Sequence, residues 1–235
     1  MNVLAIDTSG PVAGCAVLQE GRVAHLTAMN QGLTHSETLM PAVDEALSAC
    51  GMTCGDIDVF AAVAGPGSFT GVRIGVCAAK GLAHAAGKPC AAVDALEALA
   101  MNFCGFDGLC CPILDARRGQ VYCAAFDMRG GMPRRVLADD ALALEDFLSR
   151  LPGGGRLAFV GDGVPAHGAA VRAALGERAF IAPANLRDLR ADAAALLAAE
   201  HPEQWVEARL LRPIYLRAPQ AERARAARLA QEGGA

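Results

Sequence analysis

Apolar positions in this chain come in short blocks separated by glycine, proline and small polar residues. The best organised stretch is residues 57–86, IDVFAAVAGPGSFTGVRIGVCAAKGLAHAA. Residues 57–64 are mostly apolar over a short run, the pattern of a strand buried on both faces in a mostly parallel sheet. Gly65-Pro66-Gly67-Ser68 then makes a tight exit turn. Ser68 or Thr70 supplies a helix cap, and from Thr70 onward the residues suit a helix of about sixteen.

A strand, a Gly-rich turn and a helix invite an anion at the helix start, but the spacing fits no phosphate motif. Gly71 is followed by Val72 and Arg73 rather than Lys-Ser/Thr, Lys80 lies over two turns further on, and the third glycine of a dinucleotide fingerprint falls on Thr70. The stretch therefore reads as a structural corner. Its helix spreads Val72, Ile74, Val76, Ala79, Leu82 and Ala83 around the circumference, while Gly71, Gly75 and Gly81 keep its surface shallow. Such a helix needs cover on several sides, from its own domain or from a partner protein.

Around this corner the same periodicities place the other elements. Residues 3–6 read as a buried strand ending at Asp7-Thr8-Ser9-Gly10, and 13–18 and 22–29 as the rest of a meander. Thr34-His35-Ser36-Glu37 has capping-box spacing. It opens an amphipathic helix over 34–50 with Leu39, Val43, Leu47 and Cys50 on one face, and Pro41 either bends its first turns or marks its start. A strand at 90–93 and a helix at 94–103 follow.

From Cys110 the pattern begins again: a strand ending at Asp115, strands at 120–127 and 133–138, a helix at 142–151, a strand at 156–161, a helix at 164–175, a strand at 179–181 and a helix at 186–200. The segment CCPILDARRGQVYCAAFDMRGGMPRRVLA mirrors LAIDTSGPVAGCAVLQEGRVAHL. Two β-β-β-α-β-α halves predict an α/β fold of two lobes, residues 1–104 and 105–235, the end of the second being a candidate for packing back on the first.

At 235 residues and 53% hydrophobic composition, core material is ample. No apolar run approaches the roughly 18 residues of a membrane span, and the sequence opens on strand-like residues, so a cytoplasmic protein with no membrane contact is expected. The nine cysteines show no C-x-x-C spacing and read as reduced core fillers. A net charge of −4 repels nucleic acid overall. Arg209, Arg212, Arg217, Arg223, Arg225 and Arg228 form either a local basic patch or a solvated tail.

Duplicated halves that each open on a strand ending in Asp resemble the actin, hexokinase and sugar-kinase (ASKHA) superfamily. More narrowly, LAIDTS, HSETLMP, AGPGSFTGVRIG with AKGLA, ILDARRGQVY and RPIYLR together resemble the TsaB (YeaZ) family from end to end. The resemblance implies a two-lobed actin/hexokinase-like fold and a non-catalytic scaffold and activator subunit. Its partner would be a TsaD-like catalytic subunit that forms threonylcarbamoyladenosine next to the anticodon of tRNAs reading codons that begin with A. It further implies a TsaE-like ATPase as third component, tRNA met only through the complex, and a homodimer when the chain is alone.

The residues are consistent with a subunit that has no chemistry of its own. TsaD-like proteins hold a metal through two histidines on one helix, whereas His35 has Leu39 and Met40 where a second ligand would stand. Asp115-Ala116-Arg117-Arg118-Gly119 puts two large side chains in a turn that nucleotide-binding relatives keep small. No catalytic, cofactor or metal residue is assigned. Gly65, Pro66, Gly67, Ser68, Phe69, Thr70 and Gly71 are expected to be structural. The helices at 34–50 and 70–86 are expected to form the partner surface through His35, Leu39, Val43, Leu47, Arg73, Val76 and Lys80. Two alternatives compete, an independent kinase or peptidase and a direct tRNA-binding module.

Overall fold

Two sheets repeat one strand order. The structure, a computed structural model, describes residues 1–217 apart from 31 and 33. The first half contains β1 (Asn2–Asp7), β2 (Ala13–Gln19), β3 (Arg22–Met29), α1 (His35–Ala49), β4 (Val59–Gly65), α2 (Phe69–Ala86), β5 (Pro89–Asp94) and α3 (Ala95–Ala100). The second contains β6 (Leu109–Asp115), β7 (Gln120–Asp127), β8 (Arg134–Ala143), α4 (Leu144–Arg150), β9 (Leu157–Val160), α5 (Val164–Leu175) and β10 (Ala179–Ile181). After these come α6 (Ala184–Arg187), α7 (Ala191–Glu200) and β11 (Val206–Glu207). The sheets run β11-β5-β4-β1-β2-β3 and β10-β9-β6-β7-β8, so each strand of the second has a counterpart in the first. In each, the strand ending in Asp lies between an antiparallel hairpin partner and a parallel strand, as in Ile6 opposite Cys15 and Ala62.

Local chemistry sets the boundaries. All seven residues of β4 are buried, as a strand between parallel neighbours requires. Ser68 caps α2, its hydroxyl accepting from the Gly71 N–H at 3.2 Å, and left-handed Gly87 ends the helix after 18 residues. Helix α1 begins at His35 and carries Pro41 in its interior, so the proline does not mark its start. The Thr34 side chain makes no cap bond; its backbone carbonyl accepts from the Glu37 N–H at 3.0 Å instead. The reciprocal capping box lies at Thr53 and Asp56.

Two elements of the second half differ from the sequence pattern. Residues 139–143 stay in β8 because they continue the ladder with β7, so α4 starts only at Leu144. The expected helix over 186–200 is split into α6 and α7 by extended backbone at Asp188 and Arg190. The break buries Leu189, and the Asn102 side-chain amide donates to the carbonyls of Leu186 and Asp188 at 3.0 and 2.9 Å.

The largest core cluster joins the two sheets through α3 and α7, with Val3, Leu99, Phe126, Val160 and Leu197 among its members. Helix α7 packs against β1 and β2, and β11 then adds antiparallel to β5, so residues 191–207 lie on the first sheet. A second cluster holds α1 and α2 against the other face of that sheet. No described helix is long and apolar enough to cross a membrane. All nine cysteines are reduced, and burial pushes the thiols of Cys15 and Cys123 up to about 12. Cys77 and Cys104 are exposed rather than core fillers.

Candidate functional site

The signature corner is held by backbone contact with the turn after β1. The Ser68 N–H donates to the Ser9 carbonyl at 2.7 Å, and the Thr8 hydroxyl donates to the Gly71 carbonyl at 2.7 Å. A Cβ at Gly67 would run into the Ser9 carbonyl, and one at Gly71 into the Thr8 carbonyl. These glycines therefore let two stretches of main chain touch. Thr8 and Ser9 are buried there, and so is Asp7, whose Oδ1 accepts from the Ser9 N–H (2.8 Å) and hydroxyl (2.7 Å). Burial pushes the Asp7 carboxyl up to about 6, against the opposing pull of both Ser9 hydrogen bonds and of nearby His35.

The first turn of α2 carries an aromatic and cationic cluster. Phe69 stacks on Tyr215 with centroids 4.8 Å apart, the Arg73 guanidinium lies 3.7 Å from the Phe69 centroid, and Arg73 Nε donates to the Tyr215 hydroxyl at 2.8 Å. Thr70 is exposed beside it, and the peptide bond between Gly65 and Pro66 is cis.

The expected partner residues divide into two sets. Leu39, Val43, Leu47 and Val76 are buried at 2, 2, 7 and 3% exposure, inside this chain's own core. The expectation that they face a partner is corrected: they lie on the sides of α1 and α2 that pack against the first sheet. The polar three engage their own chain as well, His35 Nε2 with the Gly10 carbonyl (2.9 Å), Arg73 as above, and Lys80 Nζ with the Arg209 carbonyl (3.0 Å). What α2 turns outward is Thr70, Arg73, Cys77, Gly81, His84 and Ala85, with half-buried Ile74, Ala78 and Leu82 along the border. Exposed Met40, Asp44 and Ser48 lie on the outer side of α1.

Between the halves lies a cleft of about 630 Å³, lined by the ends of β1 and β6, the signature corner and residues 214–217. Asp7 and Asp115 occupy equivalent strand ends yet differ in setting. Asp115 is exposed, its own N–H donates to Asp162 Oδ1 (2.8 Å), and its Oδ1 accepts from the Arg117 N–H (2.7 Å). Burial pushes the Asp162 carboxyl up. Arg117 and Arg118 both sit in the left-handed region at φ 64° and 57°, a conformation that costs a side-chain-bearing residue about 1–2 kcal/mol. Among the described lining residues, the hydroxyls of Ser9, Ser68 and Thr70 stand without a histidine to take a proton. Of the C-terminal arginines, Arg209 pairs with Glu207 at 2.7 Å, Arg212 donates to the Leu211 carbonyl at 3.0 Å and Arg217 to the Ala116 carbonyl at 3.0 Å. Arg223, Arg225 and Arg228 lie outside the described residues.

Fold and cleft define an actin/hexokinase-like α/β protein. An activator of 2-hydroxyisocaproyl-CoA dehydratase from Clostridium difficile shares that fold at a TM-score of 0.52 and 10% identity, over 86% of this chain and 96% of its own. The nearer comparisons are specific. YeaZ from Pseudomonas aeruginosa superposes at a TM-score of 0.75 with 29% identity, over 92% of this chain and 99% of its own. The Bacillus subtilis tRNA threonylcarbamoyladenosine biosynthesis protein TsaB is 39% identical over 94% of this chain and 96% of its own length. Residues 31–225 match the family described as TsaD, tRNA N6-adenosine threonylcarbamoyltransferase. The chain belongs to the TsaB (YeaZ) family of tRNA threonylcarbamoyladenosine biosynthesis proteins.

Proposed function

We propose that this chain is the non-catalytic scaffold and activator subunit that pairs with a TsaD-like catalytic subunit in forming threonylcarbamoyladenosine next to the anticodon of tRNAs reading codons that begin with A. It works in the cytoplasm with a TsaE-like ATPase, meets tRNA through the complex and forms a homodimer when alone. Partner binding belongs to the N-terminal lobe, residues 1–104, through the outward faces of α1 and α2.

The observation that carries this reading is how the signature is used. Gly67 and Gly71 fix the corner to Ser9 and Thr8 and the Ser68 hydroxyl caps α2, which leaves Cys77, Gly81 and Ala85 as a shallow apolar strip facing outward between Arg73 and His84. The described lining of the cleft, by contrast, contains no histidine, and the Ser9 hydroxyl is already bonded to Asp7. Reconstitution with a TsaD-like subunit, a TsaE-like ATPase and unmodified tRNA, followed by quantification of the modified nucleoside, tests it. Leaving this chain out should abolish modification, and the chain alone should produce none. Modification by the chain alone would make it an enzyme in its own right.

A further inference from the structure

The last described segment runs from the first half of the molecule to the second. Leu211 is buried in the core of the first half, and the Ile214 N–H donates to the Ala64 carbonyl at 2.7 Å, near the end of β4. Tyr215 is then held twice, by its stack on Phe69 and by the hydrogen bond from Arg73. Two residues later the Arg217 guanidinium reaches across to the Ala116 carbonyl at 3.0 Å, in the turn between β6 and β7. Residues 214–217 line the cleft together with Asp7 and Asp115.

The anchoring is uneven. The first half holds the segment by a main-chain bond, a ring stack and a side-chain bond, whereas among the described residues its one hydrogen bond to the second half is from the Arg217 guanidinium to a carbonyl. Its acceptor lies next to Arg117 and Arg118, both left-handed, a conformation that persists only where surrounding contacts enforce it.

We propose that residues 214–217 form a latch between the halves. Arg217 steadies the strained turn over the cleft, and Tyr215 makes that contact depend on Phe69 and Arg73 at the start of α2. Anything that draws Arg73 outward leaves Tyr215 on its stack alone and loosens the turn across the cleft. By reciprocity, anything that orders the turn steadies Arg73. The latch follows from contacts within this chain and does not rest on the identity of any partner.

Hydrogen exchange of the full chain tests it, because the turn has its own reporters: the Ala116 N–H bonds to the Gln120 carbonyl (3.0 Å) and the Gln120 N–H to the Arg117 carbonyl (3.3 Å). Arg217→Ala should speed exchange over residues 116–120 about tenfold, the scale of one hydrogen bond. Tyr215→Phe, which keeps the stack, and Arg73→Ala should speed it severalfold, with β1 and β4 unchanged in all three as the check on folding. Unchanged exchange in Arg217→Ala overturns the latch. Faster exchange in Arg217→Ala alone overturns the dependence on α2, and with it the proposal.

Discussion

At the residue scale, Asp7 shows what burying a strand-end carboxyl costs. Its pKa rises from 3.8 to about 6 because burial outweighs the two Ser9 hydrogen bonds and the attraction of His35. The folded chain therefore binds this proton more tightly than the unfolded chain does. The resulting stabilisation is complete below pH 3.8 and is lost as pH rises through 6, a change of roughly 3 kcal/mol. Asp7→Asn keeps an acceptor for Ser9 and removes the charge. Denaturant unfolding should find the variant more stable than wild type by up to about 3 kcal/mol at pH 8, with little difference at pH 4. Asp127, held well below the usual carboxylate range by Arg129 and then Arg134, has the opposite pH dependence, but it is common to both proteins and cancels. An equal difference at both pH values would contradict the account. Asp7 was legible in the sequence as a strand terminus; its burial was not, since Thr8 and Ser9 are covered by residues some sixty positions away.

At the scale of elements, α2 separates what periodicity reveals from what it hides. Its existence, cap and end follow from Ser68, Gly87 and the small residues between. Its rotational phase does not, because apolar residues on most sides leave no polar stripe to mark the solvent face. Val76 consequently reads as surface in sequence and is core in structure. Val76→Glu should place a carboxylate against β1 and β4 with no partner and unfold the first half, visible as lost circular dichroism. Gly71→Val should cost about 3 kcal/mol or more in thermal unfolding, since neither the Thr8 carbonyl nor the helix start can yield cheaply. A stable Gly71→Val protein would mean that the corner does not need its close main-chain contact. The split between α6 and α7 was likewise hidden, because it depends on Asn102, which is distant in sequence.

At the scale of the molecule, the duplication was readable because a buried strand ending in Asp, a hairpin and a helix recur in the same order. Where the later segments land was not readable, since no local period encodes that α7 and β11 return to the first sheet. Arg135 of β8 ties the halves together, reaching Asp94 (3.7 Å) and Glu97 (3.6 Å) at the start of α3 while pairing closely with Asp139 and lying over Phe126. Burial pushes the carboxyls of both Asp94, which caps α3, and Glu97 up. Arg135→Ala should therefore destabilise by about 2 kcal/mol at pH 8, less than for a fully buried pair because the guanidinium is one-third exposed, and by less as the pH is lowered and the orphaned carboxyls take up protons. An effect independent of pH would indicate lost packing alone.

The claim that this chain acts by presenting the outer face of α2 to a partner is tested most directly by Cys77→Glu. The side chain is exposed, so the monomer should keep its fold and melting temperature while a charge enters the centre of the apolar strip. Light scattering of the variant, alone and mixed with a TsaD-like subunit, should then show a monomer and no heterodimer, whereas wild type should show both assemblies. A folded Cys77→Glu protein that binds the TsaD-like subunit with wild-type affinity would contradict the account.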